Sequence, residues 1–377
     1  MSDETNHRQA YAYCAYCPKV CRFACPVSDA TQSETVSTWG KMTEAFLVTT
    51  GKRSLEASGA KAMYGCTGCL RCKTYCRHEN EVGFALFSAR QQAVDRELAP
   101  EGASSTLRTF AQHGNPFGRS LADLVQKTQT PVRFHLFPGC STLVKRPDLV
   151  EDAVAVGEAL GAPMGTSKVA SRCCGYPLYA AGDMRAFTEH AEGMAQALDS
   201  YSELVVLDPG CAYTLKIVYP RVGVELHPRI RTVYEVFAER LEHAPARAPL
   251  EEKVAYHDAC HLGRGLGQYE EPRRLLRAAA GAFGEAQENR AEAGCSGGGG
   301  LLPRTMADTS VTIARRQAER VGPSGERVVT ACPTSARMFQ RAGRESEDLL
   351  HLLRRWLKTP EAAVPDSAQN EDVGADP

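Results

Sequence analysis

No run of apolar residues in the 377-residue sequence approaches the ~20 that a membrane-spanning helix requires, so any membrane association is expected to come through a partner. Excess basic charge is lacking too: 44 lysines and arginines stand against 45 aspartates and glutamates. That balance leaves no electrostatic footprint for nucleic acid, and none is expected as a partner. Met1 to Arg8 does not lead from a charged stretch into an apolar one, so no secretory leader is read there. The expected location is cytoplasmic, with any peripheral attachment to the inner membrane left to a partner. Thiols in that compartment stay reduced. Also missing are a strand-linked Gly-x-Gly-x-x-Gly for a dinucleotide and a Gly-x-Ser-x-Gly for a serine nucleophile. Hydride chemistry is therefore expected on another polypeptide.

What the sequence has in quantity is cysteine. A chain of this length can bury real cores in two or three domains and needs no disulfide staples. Its 15 cysteines are an odd number, and most fall in close-spaced groups or beside glycine and proline, which points to metal ligation. Cys66-x2-Cys69-x2-Cys72-x3-Cys76 is the bacterial run that wraps three thiolates around a cube face and sends the fourth away. Cys14-x2-Cys17-x3-Cys21-x3-Cys25-Pro26 has one more residue between its second and third cysteines but keeps the terminal Cys-Pro. Two [4Fe-4S] clusters are expected on these eight residues, zinc being the alternative. In two-cluster ferredoxins the fourth cysteine of each run ligates the other cluster. By that rule Cys14, Cys17, Cys21 and Cys76 form one set, and Cys66, Cys69, Cys72 and Cys25 the other.

The cysteine-rich first hundred residues have few β-branched runs and read as mainly helical. Trp39, Met42, Phe46 and Leu47 recur at helical spacing within Thr35 to Thr50, and Ser88 to Leu98 reads as a second helix. Between Pro100 and Pro131 the turn-rich Gly114-Asn115-Pro116-Phe117-Gly118 suggests a domain boundary. From Pro131 onward, short apolar strands alternate with helices, as in α/β units with parallel strands. This pattern repeats. Strands end at Cys140 and Cys260; Cys173-Cys174-Gly175 answers Cys295-Ser296-Gly297; Leu204 to Cys211 answers Arg327 to Cys332. The intervals are 120, 122 and 121 residues, a fixed-period self-similarity. The expected organisation is an N-terminal helical ferredoxin-like domain over 1–105, a connector over 106–130, repeats over 131–245 and 246–358, and a disordered tail over 359–377.

On these motifs residues 10 to 100 resemble the α-helical ferredoxin domain of respiratory dehydrogenase iron-sulfur subunits. The six cysteine loops that follow resemble a duplicated cysteine-rich CCG domain. That family includes the heterodisulfide reductase catalytic chain, the glycolate oxidase iron-sulfur subunit and the third subunit of anaerobic glycerol-3-phosphate dehydrogenase. Its pattern is a single Cys, then Cys-Cys-Gly, then Cys-x2-Cys, and in heterodisulfide reductases each set can hold a noncubane cluster. Repeat one keeps Cys140, Cys173, Cys174 and Cys211 but has Thr214 in the last place. Repeat two keeps Cys260, Cys295 and Cys332 but has Ser296 and Ser335. The resemblance implies a further iron-sulfur cluster in repeat one and an iron-sulfur or zinc site in repeat two, the alternative being buried thiols without metal.

The function expected from this reading is electron transfer in a flavin-linked oxidoreductase, with a flavoprotein dehydrogenase as donor and a membrane-anchored quinone-linked or other subunit as acceptor. Two further readings stand beside it: a heterodisulfide-reductase-like enzyme acting at repeat one, and a non-redox metal-binding or assembly protein. His257 and His261, flanking Cys260, are candidate ligands or structural residues. The glycines Gly297 to Gly300 suggest close backbone approach to a cluster.

Overall fold

The computed structural model describes residues 3–125, 132, 134–323 and 325–361. Among them, residues 3–125 contain helices and turns and no strand. The helix Thr38–Thr49 starts at Ser37, whose side chain accepts from the Gly40 amide at 3.1 Å, a standard N-cap. Its buried face is Thr38, Lys41, Met42, Ala45 and Val48. Of the apolar residues that predict this helix only Met42 is fully buried; the helix is rotated so that Lys41 points inward. Trp39 lies half-buried, its Nε1 donating to the Ala15 carbonyl at 3.2 Å and its ring covered by the Lys19 ammonium.

The stretch Ser88 to Leu98 is not one helix. Helices Val82–Ala89 and Gln91–Asp95 meet at Arg90, a wholly buried guanidinium. It donates to the carbonyls of Met63, Cys66, Ala180 and Gly300, and lies over the rings of Tyr64 and Phe87. The expected start of the connector falls inside a helix, since Glu101–His113 runs across position 105. The turn begins after it, at Gly114, and Asn115 fixes it by side-chain bonds to His113, Phe117 and Arg119. The rest of the connector, over 126–130, and the tail beyond Glu361 lie outside the described residues.

Each repeat is a four-stranded parallel sheet. In the first, β1 (Phe134–Phe137), β2 (Met164–Thr166), β3 (Glu203–Val206) and β4 (Arg229–Thr232) lie in the order β2-β1-β3-β4. In the second, β5 (Val254–His257), β6 (Gly284–Glu285), β7 (Arg327–Thr330) and β8 (Ser346–Asp348) lie in the order β6-β5-β7-β8. The two orders are the same topology. One core packs helices Asp148–Ala159, Val233–Glu239, Glu270–Ala280 and Leu349–Trp356 between the sheets, through Leu149, Val156, Phe237, Leu276, Leu353 and Trp356. A second core joins the helical module to repeat one through Met42, Tyr64, Phe87, Tyr179, Phe187 and Tyr219. The three modules are thus one packed body with the strand ends of both repeats facing inward.

Candidate iron-sulfur sites

Cys14 sits at the end of the helix Asp3–Ala15, and Cys17 and Cys21 on the turns that follow. Burial pushes the Cys14 thiol up to about 12; Asn80 Nδ2, donating to its sulfur from 3.1 Å, opposes this, while nearby Cys21, Cys76 and Cys17 add to it. Cys76 lies near enough to Cys14 and Cys21 to raise both thiols. A second recess is lined by Cys25, Cys66, Cys69, Cys72 and Lys41. The Lys41 ammonium is fully buried and donates to Cys25 Sγ at 3.3 Å and the Gly65 carbonyl at 2.7 Å. Burial alone would depress it, but Cys25, Cys66 and Cys72 outweigh burial and hold it above the usual ammonium range. Among the described residues Lys41 has no carboxylate partner, and anionic sulfur would compensate the buried cation. The donor set thus fits a thiolate-bound cluster.

Every cysteine of the repeats lies on the segment that leaves a strand's carboxyl end, the side on which parallel α/β sheets place ligands. In repeat one, Cys140 follows β1, Cys173 and Cys174 follow β2, and Cys211 follows β3, all buried. Cys140 and Cys173 sulfurs are 3.2 Å apart. The thiols of Cys173 and Cys211 and the Tyr176 amide all donate to Cys174, which holds it well below the usual thiol range. Cys211 is pushed up, by donating to Cys174 and then by burial. The backbone is shaped to admit these contacts. Gly139 (φ +85°) has no room for a side chain, since a Cβ would lie 2.9 Å from Cys211 Sγ. Around the quartet, Tyr219 donates its hydroxyl to the Cys174 carbonyl at 3.0 Å, and His190 Nε2 meets the Cys173 carbonyl at 2.7 Å.

Repeat two differs at the corresponding places. Ser296, in the position of Cys174, and Ser335, in the position of Thr214, hydrogen-bond to each other at 2.9 Å, and Ser335 in turn bonds Cys332. Cys295, in the position of Cys173, faces the helical module and donates to Cys69 and to Thr67 Oγ1. Asp258 and Glu285 grip the wholly buried Arg273 with four contacts of 2.7–2.8 Å. His257 is structural: Thr330 Oγ1 and the Gly294 carbonyl engage both ring nitrogens, and burial pushes it down to about 4. The thiols of repeat two do not form a quartet like that of repeat one. Among the described residues no three His, Cys, Asp or Glu side chains close on a single metal ion.

Along the sequence the cysteine groups read as separate sites; in the fold they adjoin. The Cys66 to Cys69 loop packs directly on repeat two. A Cβ on Gly299 or Gly300 would collide with the Thr67 or Cys66 carbonyl, so these glycines admit the Cys66–Thr67 backbone itself. Arg264 donates to the Cys69 carbonyl at 2.7 Å, and His261 Nε2 meets the Gly68 carbonyl at 3.2 Å while its ring stacks on Tyr213. His261 then lines one cavity of about 240 Å³ together with Cys140, Cys174 and Cys211 of repeat one and Cys260 and Cys332 of repeat two.

The cysteine-rich domain (CCG) family matches residues 134–216 and again 254–340, and the 4Fe-4S dicluster domain matches residues 10–80. The chain is an iron-sulfur protein with a duplicated CCG domain. Its relatives include a subunit of the CoM/CoB fumarate reductase of Methanothermobacter marburgensis, 29% identical over 72% of this chain and 56% of the relative. A subunit of the dihydromethanophenazine:CoB–CoM heterodisulfide reductase of Methanosarcina barkeri is 25% identical over 78% of each chain. The EtfAB:quinone oxidoreductase of Syntrophomonas wolfei is 24% identical over 74% of this chain and 43% of its own. The duplicated-CCG chain thus spans about half the length of the first of these relatives. Several of the relatives are, by name, subunits of reductases. Among the described residues, no helix is long and apolar enough to cross a membrane.

Proposed function

We propose that this chain is the electron-transfer subunit of a flavin-linked oxidoreductase. Cys14, Cys17, Cys21 and Cys76 would hold one cubane, Cys25, Cys66, Cys69 and Cys72 the second, and Cys140, Cys173, Cys174 and Cys211 a further cluster. When bound, such clusters supply one-electron chemistry, with potentials set by charge, hydrogen bonds to sulfur and exposure. The observation that carries the reading is contiguity. Cys21 lies close enough to Cys72 to raise its thiol, after burial, Cys69 and Cys66. Cys69 bonds Cys295, and the Gly68 carbonyl meets His261 on the wall of the cavity that the repeat-one thiols share. The two N-terminal sets are therefore neighbours, and the second reaches the repeat-one thiols through His261 of repeat two.

The chain's own residues prepare each station. Asn80 and Lys41 aim donors at sulfur, and Tyr219 and His190 hold the Cys173–Cys174 backbone. The hydride chemistry belongs to a flavoprotein partner, in keeping with the missing dinucleotide fingerprint. Relatives named as reductase subunits support a multi-subunit setting. Affinity purification of the native complex under anaerobic conditions tests the reading: a flavoprotein is expected with the chain, and its substrate should bleach the chain's visible absorbance. The purified chain alone is expected to oxidise no hydroxy acid. Substrate-dependent dye reduction by that chain alone, or reoxidation of it by a disulfide, would instead make it the catalytic component.

A further inference from the structure

The cavity between the repeats carries positive charge that the cysteines do not account for. Lys145 ends the helix Cys140–Lys145, Arg304 lies in Leu302–Thr305, and Arg337 and Arg341 lie on Pro333–Arg341; all four line the cavity. Thr334, Arg337, Met338 and Arg341 are spaced i, i+3, i+4 and i+7, so one helix face is turned to it. Elsewhere buried or half-buried arginines such as Arg273, Arg231 and Arg327 are neutralised by two or three carboxylates each. Among the described residues these four cations have no carboxylate partner. Lys145 instead rests over the Phe117 ring, and Arg304 donates to the Pro116 carbonyl. Their charges work against one another. Burial, then Arg337 and Arg304, push the Lys145 ammonium down to about 8, and burial, then Arg341 and Arg146, depress Arg337. The acid in the lining, Asp208, is turned to the Gly210 and Cys211 amides.

We infer that this cavity binds a small organic anion with two or more negative groups, held by Lys145, Arg304, Arg337 and Arg341 over the repeat-one thiols. Uncompensated cations around a recess concentrate anions and bind them through charge-assisted hydrogen bonds. The volume of about 240 Å³ is below that of drug-sized pockets, which selects a compact ligand. A recess, unlike a protruding basic ridge, favours a small molecule over an acidic protein segment. The anion site adds a ligand class to the site assigned above and does not need that site to be filled by a cluster.

Citrate serves as the probe, titrated calorimetrically into the anaerobically purified full chain at low ionic strength, with acetate and glycerol as controls. One citrate per chain is expected to bind, acetate far more weakly and glycerol not at all. Arg337→Gln with Arg341→Gln should weaken citrate by about tenfold or more, and Lys145→Gln with Arg304→Gln, on other helices, should do the same. Arg337→Lys with Arg341→Lys should retain most of the affinity, and Arg185→Gln, paired with Asp95 outside the cavity lining, should retain all of it. No citrate binding by the wild type, equal binding by the glutamine variants, or binding of hexaglutamate in place of citrate would each overturn the inference. Iron assayed on the same samples keeps the two readings apart: lost iron with retained citrate binding counts against the cluster, retained iron without citrate binding against the anion site.

Discussion

Repeat one and repeat two have the same strand order, the same three loops at strand ends and cysteines at matching places, yet opposite local chemistry. In repeat one the loop centre is a set of four buried thiols in mutual contact, with Cys174 receiving bonds from two of them and an amide. In repeat two the same space is closed by the Ser296–Ser335 pair, Cys295 has turned to the helical module, and Asp258 before Cys260 is committed to Arg273. Pro138 stands where Asp258 does, so repeat one has no counterpart to that ion pair. One copy of the duplicated fold thus keeps four buried cysteines together, while the other has Ser296 among them and turns Cys295 toward the dicluster module, which packs on both copies. A hydroxyl stays protonated where a thiol ionises, and soft thiolates are what iron-sulfur clusters select, so Ser296 in the place of Cys174 separates the copies, whereas Ser335 answers the hydroxyl of Thr214.

The comparison can be broken most forcefully through the ion pair of repeat two. Asp258→Ala leaves the buried Arg273 with Glu285 as its one carboxylate among the described residues, and stability should fall by about 3–5 kcal/mol, read by denaturant unfolding. A loss no larger than that of a surface substitution would mean that repeat two is not held by its charges. A smaller effect is expected from Ser296→Ala, which removes one partner of a buried hydroxyl and should cost about 1–3 kcal/mol without loss of iron. Iron loss in that variant would make Ser296 a ligand and erase the contrast. Replacing both serines by cysteine sharpens it from the other side, since the full thiol pattern should then let repeat two take up extra iron on reconstitution.

The smallest effect expected lies outside the repeats. Lys41→Met removes the buried ammonium from Cys25, Cys66 and Cys72. The second cubane's potential should fall by about 60 mV, tenfold in a one-electron equilibrium, in a spectroscopic redox titration. The repeat-one signal should stay where it was. Equal shifts in both would mean that the two sites share one electrostatic environment.

Much of this architecture is legible in the sequence because its signals are local. Cysteine spacing, the interval near 120 residues and the alternation of short strands and helices point to the dicluster module, the duplication and the parallel sheets. What escapes depends on contacts between distant segments. Lys41 in an amphipathic helix reads as a solvated residue, and nothing nearby says that sulfur from Cys25 and Cys66 surrounds it. Arg90 sits within an apparently continuous helix, and its carbonyl partners come from residues 63, 66, 180 and 300. Gly299 and Gly300 read as sites of close approach and are so, but the approaching group is the Cys66–Thr67 backbone, more than 200 positions away. The shared cavity, with cations from three helices, has no sequence signature at all beyond the i, i+3, i+4, i+7 spacing on Pro333–Arg341.

The most direct measurement is chemical iron, with electron paramagnetic resonance, on anaerobically purified wild type, Cys174→Ala and Cys332→Ala. The wild type should carry about eight iron atoms on the N-terminal cysteines and more in repeat one. Cys174→Ala should lose that excess, together with one resonance signal and the reducibility of the chain by its partner, with the cubane signals unchanged. Cys332→Ala should keep all of these. Loss of iron and electron transfer in Cys332→Ala, with Cys174→Ala unaffected, would contradict the account and assign the redox site to repeat two.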